Sequence, residues 1–135
     1  MSNIEATAER LRGAYAPGKP IAPVKDGFPD GDLKTAYAIQ EANTRYWLKQ
    51  GRRLAGRKIG LTAKALQQQW GVDHPIYGMM YADVDMSEGE MDHSRFGQPR
   101  MEAEVALMLA RDITQERVTM AELISAVDFA VPAFE

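Results

Sequence analysis

From Met101 the chain alternates. Met101, Ala103, Val105, Leu107 and Leu109 fall on one side of an extended backbone, and Glu102, Glu104, Ala106 and Met108 on the other. A period of two predicts a half-buried strand with the apolar set inward, and Phe129 to Glu135 reads as a second. Near the N-terminus the period is helical. Ile4, Ala8, Leu11 and Tyr15 recur on one face, and Ser2-x-x-Glu5 is a capping-box pattern, so a helix is expected from Asn3 to about Tyr15. Pro17, Gly18, Pro20, Pro23, Gly27, Pro29 and Gly31 then predict a loop that wraps the helices. Asp32 is an N-cap for a second helix, Leu33 to about Lys49, with Gly51 as its stop. Ala36, Ile39, Asn43, Tyr46 and Trp47 share a face of it, the aromatic pair reading as core or dimer contact.

Shorter elements follow. Arg53 to Gly60 reads as a strand, Gly60-Leu61-Thr62 as a turn, and Thr62 as the cap of a helix through Trp70 that Gly71 closes. Tyr77 to Tyr81 is a further short strand, Asp83 to Glu90 a polar turn, and Asp92 to Phe96 the approach to the Glu-x-Glu strand. Thr119-x-x-Glu122 is another capping box, opening a helix through Leu123, Ile124 and Val127. There is no internal repeat and no linker. One domain over residues 1–135 is expected, α/β in class, with a mixed, strongly curved sheet and the helices packed outside it.

Composition narrows the partners more than the fold. With 135 residues and 45% hydrophobic content the chain can bury a core. A net charge of −3 creates no strong field for nucleic acid or an anionic membrane. The absence of cysteine removes disulfide and thiolate chemistry. No apolar run has the length of a membrane-spanning helix, and Met1 to Glu5 lacks the start of a signal peptide. A cytoplasmic protein is the default expectation. The chain stops at Glu135 inside a strand-like run, where a natural domain rarely leaves a sheet edge uncovered. A fragment or a shortened reading frame is therefore expected.

Glu102 and Glu104 carry the candidate chemistry. On a strand, carboxylates two residues apart point the same way, with Cα atoms roughly 6–7 Å apart. One reading is a solvated face that happens to carry two acids. The other is part of an oxygen-ligand site for a hard divalent cation, which removes the repulsion between them. Lys58, on a strand that otherwise reads as buried, is either a snorkelling surface lysine or a functional cation. His74 and His93 show no metal spacing, Ser94 sits in no nucleophile elbow, and there is no phosphate loop.

Four segments occur in order: Gly56-Arg57-Lys58-Ile59-Gly60-Leu61-Thr62, Gln67-Gln68-Gln69-Trp70-Gly71-Val72-Asp73, Pro99-Arg100-x-Glu102-x-Glu104, and Val131-Pro132-Ala133-Phe134-Glu135. Together they resemble the 2-keto-4-pentenoate hydratase / 4-oxalocrotonate decarboxylase family of the fumarylacetoacetate hydrolase superfamily, from about the second helix to the last residue. The resemblance implies a β-roll of which this chain holds the first half, members of the family continuing with further strands. It implies Mg²⁺ or Mn²⁺ on Glu102, Glu104 and Glu135. It implies an active-site role for Lys58, in holding a substrate carboxylate or relaying a proton, and places Asp73 as a catalytic and Tyr77 as a substrate-binding residue. Ile76 departs from the pattern, where relatives often have Asp. Arg100 is expected to be structural, tying the strand start to an acid.

The implied reaction is hydration of 2-hydroxypenta-2,4-dienoate to 4-hydroxy-2-oxopentanoate in aromatic meta-cleavage catabolism. The cation grips the carboxylate and the 2-oxygen, C5 is protonated, and water adds at C4 with Lys58 as a candidate acid/base. Decarboxylation of 4-oxalocrotonate and hydration of 2-oxohept-3-enedioate are alternatives within the same family. A homo-oligomer is expected, with a decarboxylase or an aldolase as the candidate partner enzyme. A reading of another class is a non-catalytic subunit that stabilises an active partner.

Overall fold

The computed structural model describes residues 3–15, 20–29, 31–96 and 99–135. Ser2 of the first capping box, Pro17 and Gly18 of the loop, and Gln98 lie outside the described residues. The chain divides into two compact units, residues 1–97 and 98–135.

In the first unit, helix α1 (Asn3–Gly13) packs against helix α2 (Leu33–Lys49). Ala8, Ile39 and Ala42 are buried between them, with Ile4, Leu11 and Phe28 packed around. Phe28 belongs to the connecting loop, so the loop does wrap the helices. Asp32 caps α2 by accepting from the Thr35 N–H at 3.0 Å. The chain leaves α2 through Gly51, whose φ of 87° suits a residue without a Cβ. Arg12 on α1 donates to Asn43 Oδ1 at 2.7 Å and lies 4.2 Å over the Tyr46 ring. Trp47 sits edge-on to Tyr15 and Tyr46, an intrachain role for the aromatic pair.

Strand β1 (Leu54–Gly60) pairs antiparallel with β2 (Ile76–Tyr81), and helix α3 (Lys64–Trp70) lies between them in sequence. Thr62 was the expected cap of α3. The cap is Ala63, whose extended backbone turns the chain into the helix without a side-chain hydrogen bond. Gly71 ends α3 in the left-handed region. Its N–H donates to the Gln68 carbonyl and the Val72 N–H to the Gln67 carbonyl, the paired bonds of a Schellman motif.

In the second unit, β3 (Ala103–Leu109) pairs antiparallel with β4 (Val127–Phe134). Helix α4 (Met120–Ala126) opens on the expected capping box: the Glu122 N–H donates to Thr119 Oγ1 at 3.2 Å, and the Thr119 N–H to Glu122 Oε2 at 2.8 Å. Val127, expected inside this helix, begins the strand. The Glu102–Glu135 pair exchanges two backbone hydrogen bonds, of 2.9 and 3.0 Å. Antiparallel bonding alternates, so Pro132, opposite Val105, falls at a non-bonded position. Its ring nitrogen faces away from β3, where a missing donor costs the ladder nothing.

Two expectations change. Among the described residues the strands form two separate two-stranded antiparallel sheets, not one mixed sheet. Each pair is joined by a connection that returns the chain alongside itself, whereas parallel pairing needs a crossover. The faces of β3 are also reversed. Val105 is 69% exposed and Leu107 52%, with Phe134 on the same face at 75%. The half-buried side carries Glu104 and Ala106. A two-stranded ribbon has no second layer of its own to cover an apolar face. No helix among the described residues is long and apolar enough to cross a membrane.

Candidate metal centre

The register of β3 and β4 builds the acidic cluster. Glu102 and Glu135 are direct cross-strand partners and leave the ribbon on the same face. Glu104, two residues along, shares that face, and its own partner is the small Ala133. One carboxylate oxygen from each of the three lies within 4.8 Å of the others. Glu104 is half-buried, and Glu102 and Glu135 are exposed. Three points no more than 4.8 Å apart have a common centre within 4.8/√3, about 2.8 Å, of each. Small side-chain rotations bring that to the roughly 2.0–2.6 Å that Mg²⁺ or Ca²⁺ takes from oxygen. An all-carboxylate donor set suits such hard cations and not zinc. The residues present therefore fit a divalent ion.

Glu135, taken from a distant segment, does come to the Glu-x-Glu pair. Lys58, Asp73 and Tyr77 belong to the first unit. Lys58 points to the more covered face of β1, opposite Gly78 and between Gly56 and Gly60, and its Nζ donates to the Ile59 carbonyl at 2.8 Å. Tyr77 pairs with Ile59 and leaves the hairpin from the other face. There it stacks on Tyr37, with ring centroids 4.7 Å apart, while its carbonyl accepts from Gln40 Nε2 at 3.0 Å. The hairpin does not bring Lys58 and Tyr77 to one face.

Asp73 follows the α3 turn and is 97% exposed. It accepts a hydrogen bond from His74 Nδ1, which, with the nearby imidazole charge, holds its carboxyl below the usual range. Asp73 and His74 line a cleft of about 430 Å³ with Gly31, Leu33, Gly71 and Val72. Arg100 is exposed. Sequence reasoning passed over Gln67, which is 1% exposed and donates through Nε2 to the Leu61 carbonyl at 2.7 Å. The signals for it were its place one helical turn after Ala63, inside a run of three glutamines, and at the head of the Gln67-to-Asp73 segment that carries the resemblance.

A 2-keto-4-pentenoate hydratase from Dechloromonas aromatica (strain RCB) is 54% identical over 132 residues, 97% of this chain and 50% of that protein. The chain is a homologue of the 2-keto-4-pentenoate hydratases. It spans about half the length of the curated relatives it matches. The fold is similar to that of 4-oxalocrotonate decarboxylase from Pseudomonas putida G7, solved in complex with calcium and acetate. The TM-score is 0.88 at 29% identity, covering 98% of this chain and 51% of the decarboxylase. The same enzyme in complex with magnesium and adipate gives a TM-score of 0.83 at 27% identity, with the same coverage. No family model matches the chain.

Proposed function

We propose that this chain carries the divalent-metal half of a 2-keto-4-pentenoate hydratase, acting on 2-hydroxypenta-2,4-dienoate to give 4-hydroxy-2-oxopentanoate. The observation that carries the reading is the meeting of Glu102, Glu104 and Glu135 on one ribbon face. The calcium and magnesium in the solved decarboxylase complexes support a hard divalent ion, here Mg²⁺ or Mn²⁺. When bound, that ion supplies a Lewis acid for the carboxylate and 2-oxygen of a 2-oxo acid. Glu102, Glu104 and Glu135 hold it. Lys58 binds the substrate carboxylate or moves the proton, Asp73 acts through the imidazole it orients, and Tyr77 is a substrate neighbour held by Tyr37. The two hairpins are read as part of a fumarylacetoacetate hydrolase-type β-roll and the two units as parts of one domain. The working form is a homo-oligomer, with a decarboxylase or aldolase as partner.

The test pairs titration with turnover. Mg²⁺ binding is followed by calorimetry, and the purified protein is given Mg²⁺ and the dienol while the loss of diene absorbance is recorded. Each of Glu102→Gln, Glu104→Gln and Glu135→Gln is expected to weaken Mg²⁺ about tenfold or more, by analogy with the loss seen on disturbing ligand shells. Mg²⁺ affinity unchanged in all three variants would sink the reading. Folded protein that binds Mg²⁺ and a 2-oxo acid without turnover would instead indicate the non-catalytic subunit.

A further inference from the structure

Leu61 is the one non-glycine residue among those described with a positive φ, at 53°. It stands where β1 ends, three residues after Lys58. A branched side chain pays for that conformation, and such strain persists only where the surroundings over-determine it. The surroundings here are a short polar chain. Gln67, nearly completely buried, donates through Nε2 to the Leu61 carbonyl at 2.7 Å. Its Oε1 accepts from Lys64 Nζ at 3.0 Å, and the same ammonium lies 3.5 Å from the Asp73 carbonyl. An ammonium can only donate, so Lys64 fixes which end of the amide faces it and leaves the NH₂ for Leu61. The charged and titratable groups of this cluster are Lys64, Asp73 and His74.

We infer that Gln67, oriented by Lys64, is a positioning residue that fixes the strand end carrying Lys58 to the backbone of Asp73. Capping alone does not account for it. The Leu61 carbonyl could be satisfied by water in an ordinary turn, and an unstrained turn would need no buried amide. The role rests on the proposed hydratase reading, since it supposes that Lys58 and Asp73 serve one reaction.

Gln67→Glu separates positioning from packing, because shape is kept while the donor to Leu61 is lost whenever the carboxyl is ionised. A protonated carboxyl donates again. Expected at neutral pH is a fall in kcat of about tenfold or more with KM within about twofold, the size that small misplacement produces. The ratio of variant to wild-type kcat should rise as pH falls. Gln67→Met, with no donor at any pH, should show no such recovery, and Lys64→Met, at an exposed position, should show a smaller loss. Equal losses in Gln67→Glu and Gln67→Met at every pH, or a lowered melting temperature with kcat unchanged, would overturn the inference. If the wild type does not turn over, the hydratase reading fails separately, and the rate of trinitrobenzenesulfonate labelling at Lys58, read by peptide mass, decides. A labelling rate altered in Gln67→Glu and restored toward wild type at lower pH supports positioning, and an unchanged rate overturns it.

Discussion

Single residues here do work that their type alone does not announce. Arg52 lies 4.0 Å from the Tyr81 ring and 5.1 Å from Trp47, and forks onto Asp83 with bonds of 2.9 to 3.2 Å. Its side chain is 19% exposed while that of Asp83 is 59% exposed, so solvent screens the ion pair and the stacking on two rings is the larger part. A lysine has neither the planar fork nor the flat face. Arg52→Lys should therefore lose nearly as much stability as Arg52→Ala, about 1–2 kcal/mol each by urea denaturation. A lysine variant as stable as wild type would show that charge alone suffices. Glu102 and Glu104 were legible as a pair because a period of two puts them on one face. That Glu135 lands opposite Glu102 is a matter of register, which no residue in either strand states alone. Register likewise decides that Tyr77, paired with Ile59, leaves β2 on the face opposite Lys58, which neither segment states alone.

Elements were legible where their ends carry their own signals. Asp32 and Gly51 bracket α2, and Thr119 with Glu122 opens α4, as the caps predict. Thr62 failed as a cap because the φ/ψ of the next residue, not the hydroxyl, decides where α3 begins. The reversed faces of β3 failed for a different reason: what covers a strand is set by distant chain, while alternation shows only that the two sides differ. The caps also give a pH dependence with a definite sign. Hydrogen bonds from Thr35, side chain before backbone, hold the Asp32 carboxyl below the usual range, and those from Thr119, backbone before side chain, do the same for Glu122. A carboxyl depressed by folding contributes stability that is complete above its ordinary titration range and is lost as pH falls through the lower, folded value. Asp32→Ala should lower the melting temperature by a few degrees at neutral pH. That deficit should shrink on acidification below about pH 4. A constant deficit from pH 7 to pH 2.5 would show that the cap is not acting through its charge.

At the scale of the whole chain, each unit has its own logic. The first is held by apolar helix contacts and by arginines laid on aromatic rings. The second is a ribbon whose connected end is tied by α4, where the Ala110 N–H donates to the Ala126 carbonyl at 2.9 Å. Its other end is the Glu102–Glu135 pair. Ladder ends fray first, and here the last rungs also carry three carboxylates whose oxygens lie within 4.8 Å. A divalent ion held by those oxygens, as proposed, would bridge the two strands at that end. Hydrogen exchange should register this locally, because a ligand that binds only the closed state stabilises it in proportion to its saturation. With Mg²⁺ at about 100 times its dissociation constant, the amides of Glu102, Glu104, Ala133 and Glu135 should exchange up to roughly a hundredfold more slowly. Those of Ala8, Ile39 and Ala42 should not change. Chelation should restore the faster rates, and sodium at matched ionic strength should not reproduce the protection, since screening weakens repulsion without bridging the carboxylates. Slowing spread evenly over both units, or equal slowing by sodium, would mean that the three glutamates share a face without sharing an ion.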